Sequence, residues 1–367
     1  MADTPHPPHP PRPPGSPPPT SADVARQAGV SRATVSYVLN GAEGSARISE
    51  ATRARVRAAA DELGYVPHAA ARALRAGASR MVLMSAPHVP AGPLYARFAH
   101  EAQSALSRLG YTVAHLAAGV GGATGDVGDA GAAGDGPGAP ADVRAWAELR
   151  PTAAVALPPT VLTPADVAVL KQAGTRAVIT VGPPRVAGAH SLTMDQREVG
   201  AAAVAHLVER GRRRVGVVVP AEPGLDTFSG PRLAGAHAAA VEGSGGGTDV
   251  RLRPLPLAFT EESAAALAAR WPALGLDGVF AYNDEYAMLL MRALQDAGVR
   301  VPEDVAVIGA DDLMLARLTR PRLSSVRLDR ASGAEFAAYV DELVRSPASR
   351  PRRRRAMTVT VTAREST

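Results

Sequence analysis

The sequence predicts a small helical head of helix-turn-helix type, followed by a much larger α/β unit built as two lobes. Three observations lead there. Between Thr20 and Gly77, short helical patterns are separated by a glycine turn, and arginine recurs through them. From Arg80 onward, apolar strand-like runs alternate with amphipathic helices, the pattern of parallel sheets covered by helices on both faces. That alternation runs through twice, so two such sheets with a cleft between them are expected.

Composition narrows the class. A chain of 367 residues with 46% apolar content exceeds one typical domain and can bury a sizeable core. The formal net charge is +5. Between Thr20 and Arg80 nine arginines face five acids, an excess of +4 in one sixth of the length. Arginine abundance alone also follows from a GC-rich genome, so local placement carries the argument for a nucleic-acid partner. There is no cysteine, which excludes disulfides, iron–sulfur clusters and thiolate zinc sites. No apolar run approaches the length of a membrane span, and the first residues lack a secretory pattern. A cytoplasmic protein without cofactor or metal is expected.

Residues 1–19 hold ten prolines, which cannot make regular helix or sheet hydrogen bonds, so a flexible tail is expected. Ala22–Ala28 reads as a first helix, broken by Gly29. Ser31 suits the N-cap of a second helix, Arg32–Leu39, because its hydroxyl can accept an orphan N–H; Val35, Val38 and Leu39 fall on one face. Ser49 caps a third helix, Glu50–Leu63, with Val56, Ala60 and Leu63 as its buried stripe. This spacing is a helix-turn-helix, although a generic three-helix bundle shares each pattern taken singly. His68–Arg75 reads HAAARALR, a helix too short to be stable without a partner.

Strands are expected at 81–87, 111–116, 153–157, 177–181, 214–219, 252–257, 278–281 and 305–308. Helices are expected at 94–109, 143–149, 163–172, 197–209, 231–241, 261–269, 285–297 and 333–344. Residues 117–140 are nearly all Gly, Ala and Asp and read as a surface insertion. The run PASRPRRRR (347–355) reads as a solvated loop, and 357–363 alternates as an edge strand. The expected domains are a tail (1–19), a helix-turn-helix head (20–67), a short linking helix (68–77), which the resemblance given below makes a hinge, and a sensor (78–367). Within the sensor, lobe 1 takes about 81–190 and 329–346, and lobe 2 about 191–328 and 356–367.

Several stretches carry a resemblance. DVARQAGVSRATVSYVLNG, ISEATRARVRAAADELGYVPHAAARALRAG, FAYNDEYAMLLMRALQDAGVRVPEDVAVIGADD, PRLSSVRLD and the terminal AREST together resemble the LacI/GalR family of bacterial transcription regulators, over nearly the whole chain from Thr20. The resemblance implies a lambda-repressor-like head and a type I periplasmic-binding-protein-like sensor. It also implies a homodimer on double-stranded operator DNA, most often a repressor, controlled by a small effector such as a sugar, nucleoside or related metabolite. No leucine-heptad helix follows AREST, which favours a dimer over a tetramer.

The resemblance assigns site residues by position. Arg32 and Ala33 open the recognition helix and Tyr37 follows one turn later, placing them at base edges; Arg32 suits guanine, and the Ala33 methyl suits thymine. Ser31, Thr34, Ser36 and Asn40 fall at DNA-backbone positions. Leu74 matches a minor-groove wedge, with Ala71 keeping the hinge helix slim. In the sensor, Arg232 in PRLAGA, Asn283 in YNDE and Asp311 in GADD match effector-binding positions. Leu94 and Tyr95 precede them from the first lobe, and Asp195 in MDQREVG matches a family acid. Asp284 and Asp312 are expected to serve structure. Tyr37 stands where arginine is common, Leu94 where an aromatic is, and Gly182 where a polar residue is frequent. With 4% aromatic residues, little is left for a sugar-stacking platform. No HExxH, nucleophile elbow or Rossmann fingerprint is present, and the neighbouring acids of YNDE and GADD are not a glycosidase pair. No enzyme activity is expected.

Overall fold

A computed structural model describes residues 18–40, 48–66, 79–86, 92–117, 143–182, 185–244, 249–347 and 350–367. The chain divides into two compact units, 1–79 and 80–367. The expected tail up to residue 17, the hinge helix with Leu74 and Ala71, and nearly all of the 117–140 insertion lie outside the described residues.

The first unit is built on α1 (Ser21–Ala28), α2 (Arg32–Asn40) and α3 (Glu50–Leu63). Thr20 and Asp23 close a capping box on α1, and Gly29 ends it at φ 64°, a conformation that favours glycine. Ser49 accepts the Thr52 N–H to start α3. Val24, Ala25, Ala28, Val35, Val38, Val56, Ala59 and Ala60 form the core. On α3 Val56 and Ala60 are buried as expected, Ala59 joins them, and Leu63 is only partly buried.

In the second unit the first sheet comprises β1 (Met81–Ala86), β2 (Thr112–Ala117), β3 (Ala153–Ala156), β4 (Ala177–Val181), β5 (His190–Thr193) and β11 (Arg353–Arg355). Its order is β11-β5-β4-β3-β1-β2, parallel throughout. The helices α4 (Pro93–Arg108) and α12 (Gly333–Arg345) bury one face, and α5 (Val143–Glu148) and α6 (Pro164–Gln172) the other. The second sheet comprises β6 (Arg214–Pro220), β7 (Arg251–Leu257), β8 (Gly278–Phe280), β9 (Ala306–Ala310), β10 (Ser324–Arg330) and β12 (Met357–Thr362), in the order β12-β10-β9-β8-β6-β7. Only β12 runs antiparallel among these pairs. Here α7 (Arg197–Glu209) and α8 (Asp226–Gly243) pack on one face. The helices α9 (Glu261–Ala269), α10 (Trp271–Leu274) and α11 (Asp284–Asp296) pack on the other.

Local chemistry explains several boundaries. Thr163 and Asp166 form a capping box with Pro164 at the first turn of α6. Strand β7 lies at a sheet edge and carries Pro254 and Pro256. Arg251 donates its N–H to the Arg213 carbonyl on the β6 side, so the even-numbered prolines face the open edge, where a missing N–H costs nothing and discourages strand addition. The terminal AREST is an anchor: Ser366 is fully buried, takes the Ser324 N–H at 2.8 Å and donates to the Val307 carbonyl at 2.6 Å.

Three expectations are corrected. The run 347–355 is not all loop, since Arg353–Arg355 pairs with β5 as the edge strand β11; exposed on both faces, it carries no apolar alternation. Helix α8 starts at Asp226, not at Pro231, and runs through Pro231 inside it, where the missing N–H forgoes the bond to the Thr227 carbonyl. Strands β5 and β10 were not anticipated. The chain therefore passes between the sheets after β5, after β10 and again between β11 and β12.

Candidate DNA-binding and effector sites

In the first unit the outward face of α2 is open. Arg32 and Ala33 are exposed, Tyr37 is 43% exposed, and Thr34 and Ser36 are half-buried, while Val35 and Val38 turn into the core. The Ser31 hydroxyl accepts the Thr34 N–H at 3.1 Å and lies 2.9 Å from the Thr34 hydroxyl, as an N-cap should. Among the described residues no carboxylate pairs with Arg32, whereas Arg26, Arg53 and Arg57 are tied to Asp23 or Glu50. The α2 face therefore exposes a guanidinium with no ion-pair partner among the described residues, and a methyl and a phenol further along the helix. The side chain of Asn40 lies outside the described residues.

In the second unit a cavity of about 740 Å³ opens between the two sheets. It sits where strands end: Leu157 and Pro158 follow β3, Val181 ends β4, Glu222 follows β6, Tyr282 and Asn283 follow β8, and Asp311 follows β9. Crevices beyond the carboxyl ends of parallel strands are where α/β folds hold ligands. Arg232, Asn283, Asp311, Leu94 and Tyr95 all line it.

Arg232 is buried on α8, with two of its three nitrogens hydrogen-bonded. Its Nε donates to Gln196 Oε1 at 2.9 Å, a terminal N–H donates to the Tyr282 carbonyl, and its guanidinium carbon lies 4.8 Å from the Tyr282 ring centre. The other terminal nitrogen is 3.8 Å from Asp311 Oδ1, an ion pair too long for a hydrogen bond. That Oδ1 is buried with no hydrogen-bond partner among the described residues. Burial raises the Asp311 pKa against the pull of Arg232 and Arg330. The Asp311 backbone has φ 97° and is held by its N–H on the Val326 carbonyl at 2.9 Å, so the turn aims a carboxylate into the cavity at some conformational cost. Asn283 caps α11 by accepting the Tyr286 N–H at 3.0 Å, and its amide donates to Glu285 at 3.3 Å.

Asp195 is corrected. It is exposed and does not line the cavity; its carboxylate accepts the Arg197 N–H at 3.0 Å and so closes the first turn of α7. Its neighbour Gln196 points inward instead. Gly182 carries φ 81° and is shaped by the backbone. Asp284 is buried, accepts the Ser325 hydroxyl at 2.6 Å and the Leu313 N–H at 2.7 Å, and is pushed up to about 7 by burial. Asp312 pairs with Arg364 and lies 3.8 Å from Arg317. Both tie loops together.

The aromatic expectation also changes. Although aromatics are scarce, four of the five phenylalanines and four of the seven tyrosines line this cavity. Composition averages over the chain, so it could not show that concentration. Glu222 was missed as well; burial alone would raise it, but the Phe259 N–H and the Tyr286 hydroxyl hold it below the usual carboxylate range.

Comparison with known proteins decides the family. Residues 20–68 match the family model described as bacterial regulatory proteins, lacI family, and residues 204–367 match the periplasmic binding protein-like domain. The HTH-type transcriptional regulator GntR of Pseudomonas aeruginosa is 30% identical over 321 residues, covering 87% of each chain. The chain belongs to the lacI family of bacterial regulatory proteins. The HTH-type transcriptional regulator GalR of Escherichia coli is likewise 30% identical, over 87% of each chain. Among solved structures, the lac repressor dimer bound to operator and the anti-inducer ONPF matches with a TM-score of 0.71 at 20% identity, over 95% of this chain and 99% of that one; at that identity the likeness concerns the fold. This lacI-family chain is a DNA-binding transcriptional regulator with an effector cleft in its sensor.

Proposed function

We propose that the protein is a homodimeric repressor whose operator affinity is set by a small molecule held between the two sheets. The observation that carries this reading is the cleft itself: a lacI-family sensor with a cavity of about 740 Å³ and a buried carboxylate oxygen that has no hydrogen-bond partner among the described residues. The experiment is fluorescence anisotropy of the purified protein on the promoter DNA beside its own gene, repeated with a panel of sugars, nucleosides and related metabolites. Salt-dependent binding changed by at least one compound supports the reading; binding that no compound alters overturns effector control. The curated relatives named above are transcriptional regulators, and the proposal gives the cleft a binding role without catalysis. Among the described residues no helix is long and apolar enough to cross a membrane, and the proposed place of action is the cytoplasm, at the nucleoid.

On the DNA side Arg32, Ala33 and Tyr37 are proposed to meet base edges, with Ser31, Thr34, Ser36 and Asn40 on the backbone. Leu74, with Ala71 beside it, is proposed to wedge into the minor groove from the hinge. Arg32→Ala is expected to cost about 1–3 kcal/mol of discrimination at one base pair. Anisotropy on matched and single-mismatch operators reads this, and an equal loss on both would assign Arg32 to the backbone.

The proposed dimer buries α4 together with a second-lobe surface. On that lobe Met314, Leu315 and Leu318 are 71%, 51% and 63% exposed within one short turn after β9, an apolar cluster that a partner copy would cover. Met314→Arg with Leu318→Glu is expected to shift sedimentation toward the monomer by at least tenfold in dissociation constant, while melting of the isolated chain changes little.

A further inference from the structure

The two sheets differ in charge at the side where their strands begin, away from the cleft. In the first sheet the parallel register brings the starts of β11, β4, β3 and β1 into one row. Arg350, Arg176, Arg150 and Arg80 precede those strands in that order, and all four are exposed. The helices that lead into the strands end at the same side and add Lys171 from α6 and Arg345 from α12. The acids there, among the described residues, are Glu148, Asp341 and Glu342. Two of these are spent locally: Asp341 lies 2.8 Å from Arg345, and Glu342 2.5 Å from Arg352. Arg80, Arg176 and Arg350 have no carboxylate partner among the described residues.

Two ordinary causes fall short of this surplus. Cations complement the carboxyl ends of helices, which accounts for Lys171 and Arg345. Arg80 likewise donates to the Leu109 and Gly110 carbonyls at 2.7 and 3.0 Å, just past the end of α4. Neither Arg176 nor Arg350 has such a role. An arginine-rich composition would load both sheets alike. At the strand starts of the second sheet, however, Arg214, Arg251 and Arg322 each meet a carboxylate within 3.4 Å, on Asp277, Asp249 and Glu365. The second sheet balances its arginines there, and the first does not.

The row from β11 to β1 crosses four strand spacings of about 4.8 Å, roughly 19 Å in all. That is too long for one small anion. Over the same length duplex DNA presents roughly eleven phosphates. The chain also enters this unit at that side, through Arg80, from the DNA-binding unit, so DNA is the polyanion that its connectivity supplies.

We propose that the strand-start side of the first sheet is a second DNA-contacting surface, where Arg176 and Arg350 meet backbone phosphates and hold the duplex without reading its sequence. The surface rests on the DNA-binding role of the chain and needs no effector. The full-length protein is titrated by fluorescence anisotropy, over a salt series, onto the promoter fragment beside its own gene and onto a random duplex of equal length. Arg176→Gln with Arg350→Gln is compared with Arg210→Gln with Arg253→Gln. The second pair removes the same charge from exposed arginines of the other lobe that have no carboxylate partner among the described residues.

The first pair is expected to flatten the slope of log K against log salt by about two units or more, at about 0.9 for each lost phosphate contact. Both duplexes should bind about tenfold more weakly near physiological salt, with their affinity ratio unchanged. The second pair should keep the parent slope. Parent-like slope and affinity in the first pair overturn the proposal and leave the surface to an acidic protein. An equal loss in both pairs also overturns it, because net charge then suffices. If the first pair melts below the parent, Arg176→Gln and Arg350→Gln are read singly, each expected to flatten the slope by about 0.9 or more. A parent that binds the random duplex and shows no preference for the promoter overturns the repressor reading above, while the random duplex still decides this one.

Discussion

Gly200→Ala is expected to destabilise the sensor by roughly 3 kcal/mol, although helix propensity alone argues for the opposite sign. Gly200 lies inside α7, where alanine is favoured over glycine by about 1 kcal/mol. A Cβ at Gly200, however, would overlap the carbonyl oxygen of Arg232 on α8, and a Cβ at Gly235 would overlap the carbonyl of Arg197 on α7. The two helices cross backbone to backbone through these glycines. The atoms in the way are main chain, so no rotamer change relieves the clash, and the helices must separate. The residue whose carbonyl is struck is Arg232, so the same substitution displaces the guanidinium from Gln196, Tyr282 and Asp311. Thermal melting and effector titration should therefore fail together in Gly200→Ala. A variant that melts at or above the parent temperature would show that α7 and α8 are not packed this closely in solution.

That crossing also shows what the sequence could and could not reveal. The helix from Thr163 to Gln172 was legible because its signals are local: threonine cap, proline at the first turn, acid three residues on. The pattern around Arg232 was legible only as far as Pro231, and its first turns were lost because proline usually ends an argument for a helix. Strand β11 was illegible for a different reason. Three consecutive exposed arginines give no periodicity, and they become a strand through pairing with a distant β5. At the candidate site, Arg232, Asn283 and Asp311 were reached by position within long motifs, and the structure brings them together. Asp195 fell one residue from the inward-facing Gln196, since a turn leading into a helix offers no period from which to read direction. The aromatic lining of the cleft is a tertiary fact: Phe98 is far in the chain from Phe336 and Tyr339, and they meet only because α4 and α12 share one face of the first sheet.

Arg232→Met is expected to be the most damaging single change in the cleft, at about 3–5 kcal/mol, because it leaves a buried carboxylate without its cation. Gln196 Oε1 and the Tyr282 carbonyl lose their donor in the same step. The deficit should depend on pH, with a definite sign. Burial already raises the Asp311 pKa while Arg232 opposes the rise, so removing the arginine raises it further. A carboxyl whose folded pKa exceeds its unfolded value binds more protons in the folded state, so stability falls as pH rises between the two values. The variant's melting temperature should therefore lie closer to the parent's at pH 5 than at pH 8. Adding Asp311→Asn removes the orphaned charge and is expected to recover about 2 kcal/mol at pH 8; asparagine is chosen because it tolerates the positive φ at this position. The double variant should bind operator and ignore every effector, separating the pair's part in folding from its part in recognition. If it melts no higher than Arg232→Met, the arginine stabilises through Gln196 and Tyr282, and the carboxylate is a ligand acceptor that the protein tolerates unpaired.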